Sequence, residues 1–576
     1  MGYGLPKMYL REATVKAKGR SYSYLQICET VRVGKKNTRK VLGHLGRSDQ
    51  LDPKKLDGLI QHLRRYASPE MQAYRPLSEL EILSAKEYGG LLACRRLWEM
   101  VGLEEFLGGQ SAAVREASFR LVSSRLLEPQ SKLATSEWQD SVYWPSPGPR
   151  PSYDGLLAAM DALLPLKPEL EEKLFQRYSQ DLFSLNLRFV LYDLTSSYFE
   201  GDGVCELAEF GYSRDHRSDR RQVIWGMAIT PEGLPISQRV FPGNTGDSKT
   251  LIETTQGLRE RFGLAKVMIV ADQGMFSAEN VLELEAAGQP YLLAIKVRSM
   301  KLGEAAVKAA EKLGLPRPKD PGAEWSVREV ALEKGRRHIV VFSAFKAQHD
   351  RVVRLTRLQK TRTDLRSLAR HAAHKKLKRA DVIAAASRVF AERETGQYFG
   401  YLASDGGLSI WLERATYRRQ RRLDGIFILQ TNQDSDQLSA QEAVAAYRQL
   451  MEVERAFRLI KSPVIKVRPI FHWSQRRVEA HLFICYLAFL LAKALELKLS
   501  ELPEAERDAL SGESERKLTA TRALTLLRSL KVVEHRWQEW DVAQLTAPSA
   551  AVKTLLGALD LRDLPKLLSI RRLAPA

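Results

Sequence analysis

The sequence predicts a mixed α/β core, preceded by a β segment and flanked by helical regions. Three patterns carry this prediction. Residues 8–45 alternate apolar and polar side chains around basic turns, which is typical of a small β-meander. Residues 52–180 show the spacing of amphipathic helices. From about residue 185, strand-like runs and helical stretches follow in the order β, β-hairpin, α, β, α, β, which indicates a mixed sheet with helices packed on it.

These changes of pattern divide the 576 residues into six expected segments. A chain of this length is expected to hold several domains, at about 100 to 200 residues each. The segments are a basic β-meander at 1–50, a helical domain at 51–180, the first part of the α/β core at 185–297, an insertion with a basic helix at 298–422, the second part of the core at 423–499, and a helical region at 500–576.

Positive charge is concentrated in two short stretches. Lys and Arg number 89 against 69 Asp and Glu, a net charge of +20, and residues 1–50 and 351–380 together carry 18 of these surplus charges. Such an excess favours a polyanionic partner, nucleic acid before a membrane surface. We expect the second stretch to contact the DNA backbone, because its net charge of +10 with a single acid exceeds what solubility requires. The basic residues singled out for DNA contact are Lys35, Lys36, Arg362, Arg366, Arg370, Lys375 and Lys376.

The sequence argues against a disulfide framework, a zinc site and a membrane span. Its four cysteines lie far apart and belong to no Cys/His cluster, a pattern that fits a reducing, cytoplasmic setting. The longest uninterrupted apolar run, 482–492, has 11 residues. A bilayer requires roughly 18 to 20, so we expect a buried helix there.

Two aspartates at the ends of predicted strands are the first catalytic candidates. Asp193 lies near the end of LRFVLYDLTSSYF, and Asp272 ends KVMIVAD. Because neighbouring side chains of a Val/Ile-rich strand are buried, an Asp at its end lies at the edge of the sheet. If the two strands are adjacent, both carboxylates converge on one spot, where hard oxygen ligands select Mg²⁺ or Mn²⁺. A strand-terminal Asp is also a common turn former, so neither residue alone establishes a site.

A predicted helix at 439–461 supplies a third acid. Tyr447, Glu454 and Lys461 are seven residues apart and therefore share one stripe of the helix, with Arg458 one turn beyond the acid. Such an acid can hold a metal ion while Lys461 and Arg458 hold phosphate oxygens. Tyr447, Arg458 and Lys461 are therefore also expected to contact DNA. Two ions about 3.5 to 4 Å apart would activate a water or a 3′-hydroxyl in phosphodiester chemistry. The spacing of Glu454 and Arg458 is also that of an exposed helical ion pair.

Longer stretches around these acids carry a family resemblance. They are YDLTSSYFEG, GYSRDHRSDRRQVIWGMAI, FPGNTGDSKT, IVADQGMFS, YRQLMEVERAFRLIK and RPIFHWSQRRVEAHLFICYLAFLL. Over about 185–495 the chain resembles the DDE transposases of bacterial insertion sequences, in the subgroup whose last acidic helix carries a Y-(2)-R-(3)-E-(6)-K signature. Tyr447, Glu454 and Lys461 match its intervals, and Leu450 stands at its Arg position.

The resemblance implies an RNase H-like core interrupted by a mostly β insertion at 298–422. It also implies that Asp193, Asp272 and Glu454 hold two Mg²⁺ ions, for which Mn²⁺ can substitute. The partners it implies are double-stranded DNA, as terminal inverted repeats and target, and a second copy of the chain in a homodimer. The expected reaction is strand cleavage at the element's ends followed by transfer of the 3′-hydroxyl into target DNA, with end recognition by residues 1–50.

Two alternatives stay open at this point. An RNase H-like nuclease, such as a structure-selective DNA resolvase, would share the metal chemistry without strand transfer. A catalytically inactive derivative would bind DNA alone, although the acids at all three positions argue against it.

Other candidates have ordinary structural interpretations. Asn244 and Asp247, in PGNTGDS, are expected to form a turn and cap the following helix. Trp325 and Trp411 are candidates for stacking on an extruded base, and a packing role is the more common one for such residues.

Overall fold

The computed structural model of the chain divides into two compact units, each described by itself. Unit 1 comprises Met1–Leu83, Glu534–Ala543 and Ser569–Ala576, and unit 2 comprises Ser84–Val533 and Gln544–Leu568. The structure describes residues 8–17, 20–33, 36–67, 80–144, 150–177, 179, 187–201, 205–215, 217–264, 266–298, 301–320, 322, 325–333, 335–462, 465–512, 518–537, 540–564 and 567–572.

The strands are numbered β1 to β17 along the chain. They are β1 Met8–Ala17, β2 Arg20–Val33, β3 Lys36–Arg47, β4 Leu80–Glu87, β5 Phe189–Tyr198, β6 Gln222–Ile229, β7 Pro235–Pro242, β8 Met268–Ala271, β9 Tyr291–Ile295, β10 Ser326–Glu333, β11 Arg336–Phe342, β12 Phe399–Ser404, β13 Gly407–Leu412, β14 Ile426–Thr431, β15 Lys531–Trp537, β16 Trp540–Leu545 and β17 Leu567–Arg572.

The helices are named by their bounds. They are Pro53–Arg64, Gly89–Met100, Leu103–Phe106, Ala112–Leu127, Lys132–Trp138, Tyr153–Gln176, Asp247–Phe262, Ala278–Ala286, Lys301–Lys312, Ala344–Lys375 (the basic helix), Arg379–Arg393, Arg414–Arg422, Ala440–Lys461 (the signature helix), Gln475–Ser500, Glu504–Ser511, Ala520–Leu527 and Ala550–Ala558.

In unit 1, β1, β2 and β3 form an antiparallel sheet in chain order. This confirms the β-meander that the alternating pattern of residues 8–45 predicts. The helix Pro53–Arg64 follows, and its first turn is capped by Asp52, whose carboxylate accepts a hydrogen bond of 3.0 Å from the backbone N–H of Lys54.

Unit 2 is built around an eight-stranded sheet with the strand order β10-β11-β14-β9-β8-β5-β6-β7. Strands β5, β6 and β7 pair antiparallel, whereas β5, β8 and β9 pair parallel. The helices Asp247–Phe262 and Ala278–Ala286 provide the crossovers between the parallel strands. This arrangement has the predicted order β, hairpin, α, β, α, β and confirms the RNase H-like core.

The signature helix packs on β5 and β8. It begins at a capping box, in which the Ser439 hydroxyl accepts a hydrogen bond from the Glu442 N–H while the Glu442 carboxylate accepts one from the Ser439 N–H. Leu450 and Phe457 are buried, and the Phe457 ring packs edge-on against Trp225 of β6. This apolar face adjoins the stripe that carries the polar residues of the signature, so its packing fixes the position of that stripe relative to the sheet.

The insertion at 298–422 differs from the prediction of a mostly β segment, because it contains more helix than strand. Two of its strands, β10 and β11, extend the central sheet beyond β14. The strands β12 and β13 form a separate hairpin, which packs with the basic helix and with Arg379–Arg393 around Leu365 and Phe390. The Leu and Ala residues spaced three and four apart along this stretch favour helix over strand.

The two predicted helical regions also contain strands. β4 lies within 51–180, and β15, β16 and β17 lie within 500–576. Each is a short strand of eight residues or fewer, so its alternation is easily masked by neighbouring helical patterns.

The apolar run at 482–492 is the centre of the helix Gln475–Ser500 and is buried throughout, as predicted. No helix in the described ranges is both long enough and apolar enough to cross a membrane. All four cysteines are buried free thiols, which agrees with the absence of a disulfide framework.

Candidate active site

The sheet register brings the two strand aspartates side by side. Strand β5 pairs in parallel with β8, and Tyr192 lies opposite Ala271. Asp193 and Asp272 are the next residues along the chain; Asp272 directly follows β8, whereas Asp193 lies in the middle of β5 and not near its end as predicted. The Asp193 Oδ1 atom accepts a hydrogen bond of 2.8 Å from the backbone N–H of Leu194. The adjacency on which the sequence-based prediction depended is therefore present.

The electrostatic environment of Asp193 links all three acids. Burial raises the pKa of its carboxyl to about 7, helped by the negative charges of Asp272 and Glu454 and opposed by the Leu194 hydrogen bond and by Arg214. Mutual repulsion of this kind is relieved by a bound cation. Glu454 itself is exposed on the signature helix.

Tyr447 holds the second aspartate. Its phenol donates a hydrogen bond of 3.0 Å to Oδ1 of Asp272, and its ring stacks on Phe427 with the centroids 5.5 Å apart. Burial, followed by the charge of Asp272, raises the pKa of the phenol well above its ordinary value. The phenol therefore keeps its proton and remains a donor to the carboxylate.

A cleft of about 950 Å³ opens over the two aspartates. Residues Asp193, Asp272 and Tyr447 line it, as do Trp325 and Arg448. The Arg448 guanidinium lies 4.8 Å from the centroid of the Trp325 ring, which also packs edge-on against Phe427. Trp325 thus combines a packing role with a position in the cleft, whereas Trp411 lies on β13, half exposed, with its indole N–H donating to Glu413.

Asp247 also lines this cleft. The sequence had instead predicted that this residue caps a helix. The residue is the first of its helix, and Gly246, which has no side chain, occupies the capping position. The Asp247 carboxylate instead pairs with Arg214 at 2.6 Å. A Cβ atom at Gly274 would lie 2.8 Å from Oδ2 of Asp247, so this close approach explains the glycine in the DQG stretch.

Lys461 ends the signature helix in a buried ion-pair cluster. Its Nζ lies 2.6 Å from Oδ1 of Asp215, the carboxylate that also pairs with Arg468. Only 2% of the Asp215 side chain is exposed. Sequence reasoning missed Asp215, because it stands in a loop crowded with arginines and only the fold shows which cations it meets. The sequence predicted that Lys461 lies on the polar stripe of the helix, but it did not predict the ion pair with Asp215.

The remaining signature positions are divided between the core and the surface. Leu450, at the signature's Arg position, is buried. Arg458 is exposed one turn beyond Glu454, and no ion pair between them is found in the described part of the chain. Arg448 is the arginine of this helix that reaches the cleft.

The basic helix presents a charged face to solvent. Five singled-out residues of this helix and its C-terminal cap are exposed and form no ion pair with any residue that the structure describes; they are Arg362, Arg366, Arg370, Lys375 and the cap residue Lys376. The face is smaller than the charge count suggests, since Arg354 is buried against Asp424 with Nη2 2.6 Å from Oδ2. Of the two singled-out lysines of unit 1, Lys35 lies outside the described residues, and Lys36 lies in β3 with its side chain outside them.

The side chains that line the cleft include the type of ligand that a divalent cation prefers. Carboxylate oxygens are the hard ligands that Mg²⁺ and Mn²⁺ prefer, and the acids at 193 and 272 have no cation paired with them among the described residues. Over the same residues, no three His, Cys, Asp or Glu side chains are grouped closely enough to hold one metal ion. Two carboxylates therefore line the cleft, and the charge of Glu454 contributes to the raised pKa of Asp193.

Comparison with known proteins places the chain among transposases. The family model "Transposase DDE domain" matches residues 187–491, more than half of the chain, and the model "IS1634 family transposase, N-terminal domain" matches residues 10–73. No curated protein matches.

Two solved structures are similar to the chain at low identity. One is a cryo-EM structure of a piggyBac transposase synaptic complex with hairpin DNA, which is 10% identical in sequence. The match covers 76% of this chain and 79% of the piggyBac chain, with a TM-score of 0.35. The other is a Mos1 transposase paired-end complex with the left transposon end, which is 13% identical in sequence. The match covers 42% of this chain and 68% of the Mos1 chain, with a TM-score of 0.14.

Proposed function

Because the chain belongs to the family of transposases with a DDE domain, and is therefore an enzyme of DNA cleavage and strand transfer, we propose that Asp193, Asp272 and Glu454 form its metal-binding triad. The observation that carries the proposal is the parallel register of β5 and β8, which sets the first two acids side by side. The rise in the pKa of Asp193, to which the charges of Asp272 and Glu454 contribute, supports the third member.

The ions are Mg²⁺, for which Mn²⁺ can substitute. Transposases of this family generally use divalent metal ions. When bound, such ions activate the attacking oxygen and stabilise the leaving oxygen of a phosphodiester. Asp193 and Asp272 offer carboxylate oxygens at the floor of the cleft, and the Tyr447 phenol keeps Asp272 oriented through its hydrogen bond.

Two reactions occur in sequence at this site. In the first, a water oxygen attacks a phosphodiester at each terminal inverted repeat, and the departing oxygen becomes a free 3′-hydroxyl. In the second, that 3′-hydroxyl attacks a phosphodiester of the target, so one bond forms as another breaks and no oxidant or reductant is needed. Arg448, which lies in the cleft, is suited to contact phosphate oxygens of the bound strand.

DNA is held outside the cleft by two basic surfaces. We assign recognition of the element's ends to the amino-terminal β segment at 1–50, which lies largely within the stretch matched by the IS1634-type model. The exposed face of the basic helix, which includes Arg362, Arg366 and Arg370, contacts the DNA backbone. Two copies of the chain pair two element ends in a synaptic dimer.

Strand transfer distinguishes this function from that of a nuclease. Pre-cut element ends with free 3′-hydroxyls are supplied to the protein with Mg²⁺ and a supercoiled target plasmid. A transposase joins the ends to the plasmid, whereas a structure-selective resolvase leaves both unjoined. The family match does not favour the resolvase. Failure to join ends that the protein demonstrably binds would overturn the proposal.

A further inference from the structure

The chain that follows the signature helix lines a second, smaller pocket, of about 180 Å³. Its lining is strongly basic, and none of the described lining residues is Asp or Glu. The basic residues and imidazoles that line it are Arg125, Lys132, Lys466, Arg468, His472 and His481. A pocket with this composition is complementary to an anion.

Lys132 is buried in this pocket without a counter-ion. The residue is only 6% exposed, and its Nζ lies 3.2 Å from Nδ1 of His481, its one hydrogen-bond partner among the described residues. The other ring nitrogen of His481 lies 3.0 Å from the Val467 carbonyl, so Nε2 carries the proton and Nδ1 accepts from the lysine. A buried ammonium group normally has an anionic partner.

Arg125 has an unused donor in the same pocket. It is 5% exposed, and its two terminal nitrogens donate to the backbone carbonyls of Lys466 and Gln130 at 3.3 and 3.0 Å. Its Nε is buried and has no hydrogen-bond partner in the described structure. Such orphaned donors are rare in folded proteins, and a bound ion is one of the ordinary explanations for them.

The two buried cations also disfavour each other. Burial, followed by the charge of Arg125, lowers the pKa of Lys132 well below its ordinary value. Burial and the charge of Lys132 likewise lower the pKa of His481. A bound anion would relieve both the desolvation and the repulsion.

The rim of the pocket is apolar and accessible. Leu133, Tyr153 and Phe471 line it and are 57%, 41% and 61% exposed. Exposed aromatic rings beside a basic pocket provide a surface on which a sugar or a base can pack, as in proteins that bind single nucleic-acid strands. A free phosphate ion would make no use of this rim.

We propose that this pocket binds a phosphate group of a DNA strand, with Lys132 and Arg125 as its principal donors. The inference rests on the proposed function only in taking DNA as the ligand, because the pocket lies apart from the residues that line the cleft over Asp193 and Asp272. Arg468 adjoins both features, since it lines the pocket and pairs with Asp215, the partner of Lys461. The bound strand would therefore pass close to the end of the signature helix.

The test measures DNA binding by the full-length protein in EDTA, where no cleavage occurs. Lys132→Gln is compared with Lys319→Gln, which removes the same charge from an exposed position outside both pockets. The ligands are a fluorescent DNA strand and its duplex. We expect K132Q to make the slope of log affinity against log salt less steep by about 0.7 to 0.9, the value of one phosphate contact. K319Q should match the wild-type protein.

A second readout separates a binding role from a structural one. Replacing chloride with inorganic phosphate at constant ionic strength should raise the Tm of the wild-type protein and of K319Q, and leave that of K132Q unchanged. In phosphate-free buffer K132Q should be as stable as the wild-type protein, because the lysine has no ion pair to lose. Lys132→Met serves as a second variant if K132Q does not fold.

Two outcomes would overturn the inference. An unchanged salt slope in the folded Lys132 variants would exclude a DNA phosphate, even if inorganic phosphate stabilised the wild-type protein, since the pocket would then take the free ion. A slope that changes equally in K319Q would show that the effect is general. Neither outcome depends on strand transfer, so the function proposed for the cleft can fail independently.

Discussion

The phenol of Tyr447 donates a 3.0 Å hydrogen bond to the carboxylate of Asp272 and thereby joins the signature helix to the end of β8 in the central sheet. The contact spans 175 residues of sequence. Tyr447 lies seven residues before Glu454 on the same stripe of the helix, and of these two residues Tyr447 lines the cleft.

Replacing Tyr447 with Phe should weaken the use of metal without unfolding the protein. The ring would keep its stacking on Phe427 and lose only the hydrogen bond to Asp272. Loss of such an outer-shell partner costs about 10- to 100-fold in metal affinity or activity. We expect cleavage by Y447F to need at least about tenfold more Mg²⁺. Tyr401→Phe, in the insertion, is the matched control, and an unchanged Mg²⁺ requirement in Y447F would contradict the positioning role.

Replacing Asp215 with Asn should destabilise unit 2. The change would leave Lys461 and Arg468 without the buried carboxylate that both contact. Breaking one partner of a buried ion pair costs about 3 to 5 kcal/mol, which urea denaturation would detect as a lower free energy of unfolding. The exposed pair of Arg528 and Glu128 provides the control, because Glu128→Gln should cost less than about 1 kcal/mol. Equal effects of the two substitutions would refute the structural importance of the cluster.

Neutralising the exposed face of the basic helix should reduce the salt dependence of DNA binding. The triple change Arg362→Gln, Arg366→Gln and Arg370→Gln removes three exposed charges, and the slope should fall by about 0.9 for each duplex phosphate that the variant no longer neutralises. Anisotropy titrations over a range of salt concentrations measure this slope. The control neutralises three dispersed exposed lysines, Lys308, Lys319 and Lys553. If both triple variants behave alike, the DNA surface is not localised on this helix.

Stability should fall as the pH is lowered from 7.5 to 5 in phosphate-free buffer. Burial and the charge of Lys132 lower the pKa of His472 to about 3, so the folded protein keeps this ring neutral while the unfolded chain takes up a proton below about pH 6.5. A group with a depressed folded pKa contributes stability above its unfolded pKa and loses it as the pH falls.

The contribution of His472 is measured by comparing the pH dependence of stability in two histidine variants. His472→Gln should remove about 2 kcal/mol of the loss between pH 6.5 and 5, as measured by urea denaturation at each pH. His371→Gln, at an exposed position of the basic helix, should retain the wild-type pH dependence. A steep loss that persists unchanged in H472Q would assign the acid sensitivity to other groups.

The sequence allowed prediction of the elements that have strong periodicity and of the acids that they carry. The β-meander, the order of strands and helices in the central sheet and the stripe of the signature helix all follow from local patterns. Adjacency of β5 and β8 was needed for Asp193 and Asp272 to meet, and the sequence left it as a condition, because a hairpin and a helix separate the two strands along the chain.

Long-range pairings were beyond sequence reasoning. Asp215 and Asp247 meet Lys461 and Arg214 only because separate loops and helices fold together. The insertion was expected to be mostly β, yet its helices bury Leu365 and Phe390 between them. Its strands β10 and β11 instead pair with the core, and no local pattern specifies which sheet a strand joins.

The central claim, that Asp193, Asp272 and Glu454 act together in metal-dependent DNA cleavage, is tested most directly by one comparison. Asp193→Asn, Asp272→Asn and Glu454→Gln are assayed with Mg²⁺ on a plasmid carrying the element's own ends, alongside Glu452→Gln from the same helix as control. We expect each of the three variants to bind the ends with wild-type affinity in EDTA and to lose detectable cleavage, while E452Q cleaves normally. Cleavage retained in the folded Asp193 or Glu454 variant would contradict the account.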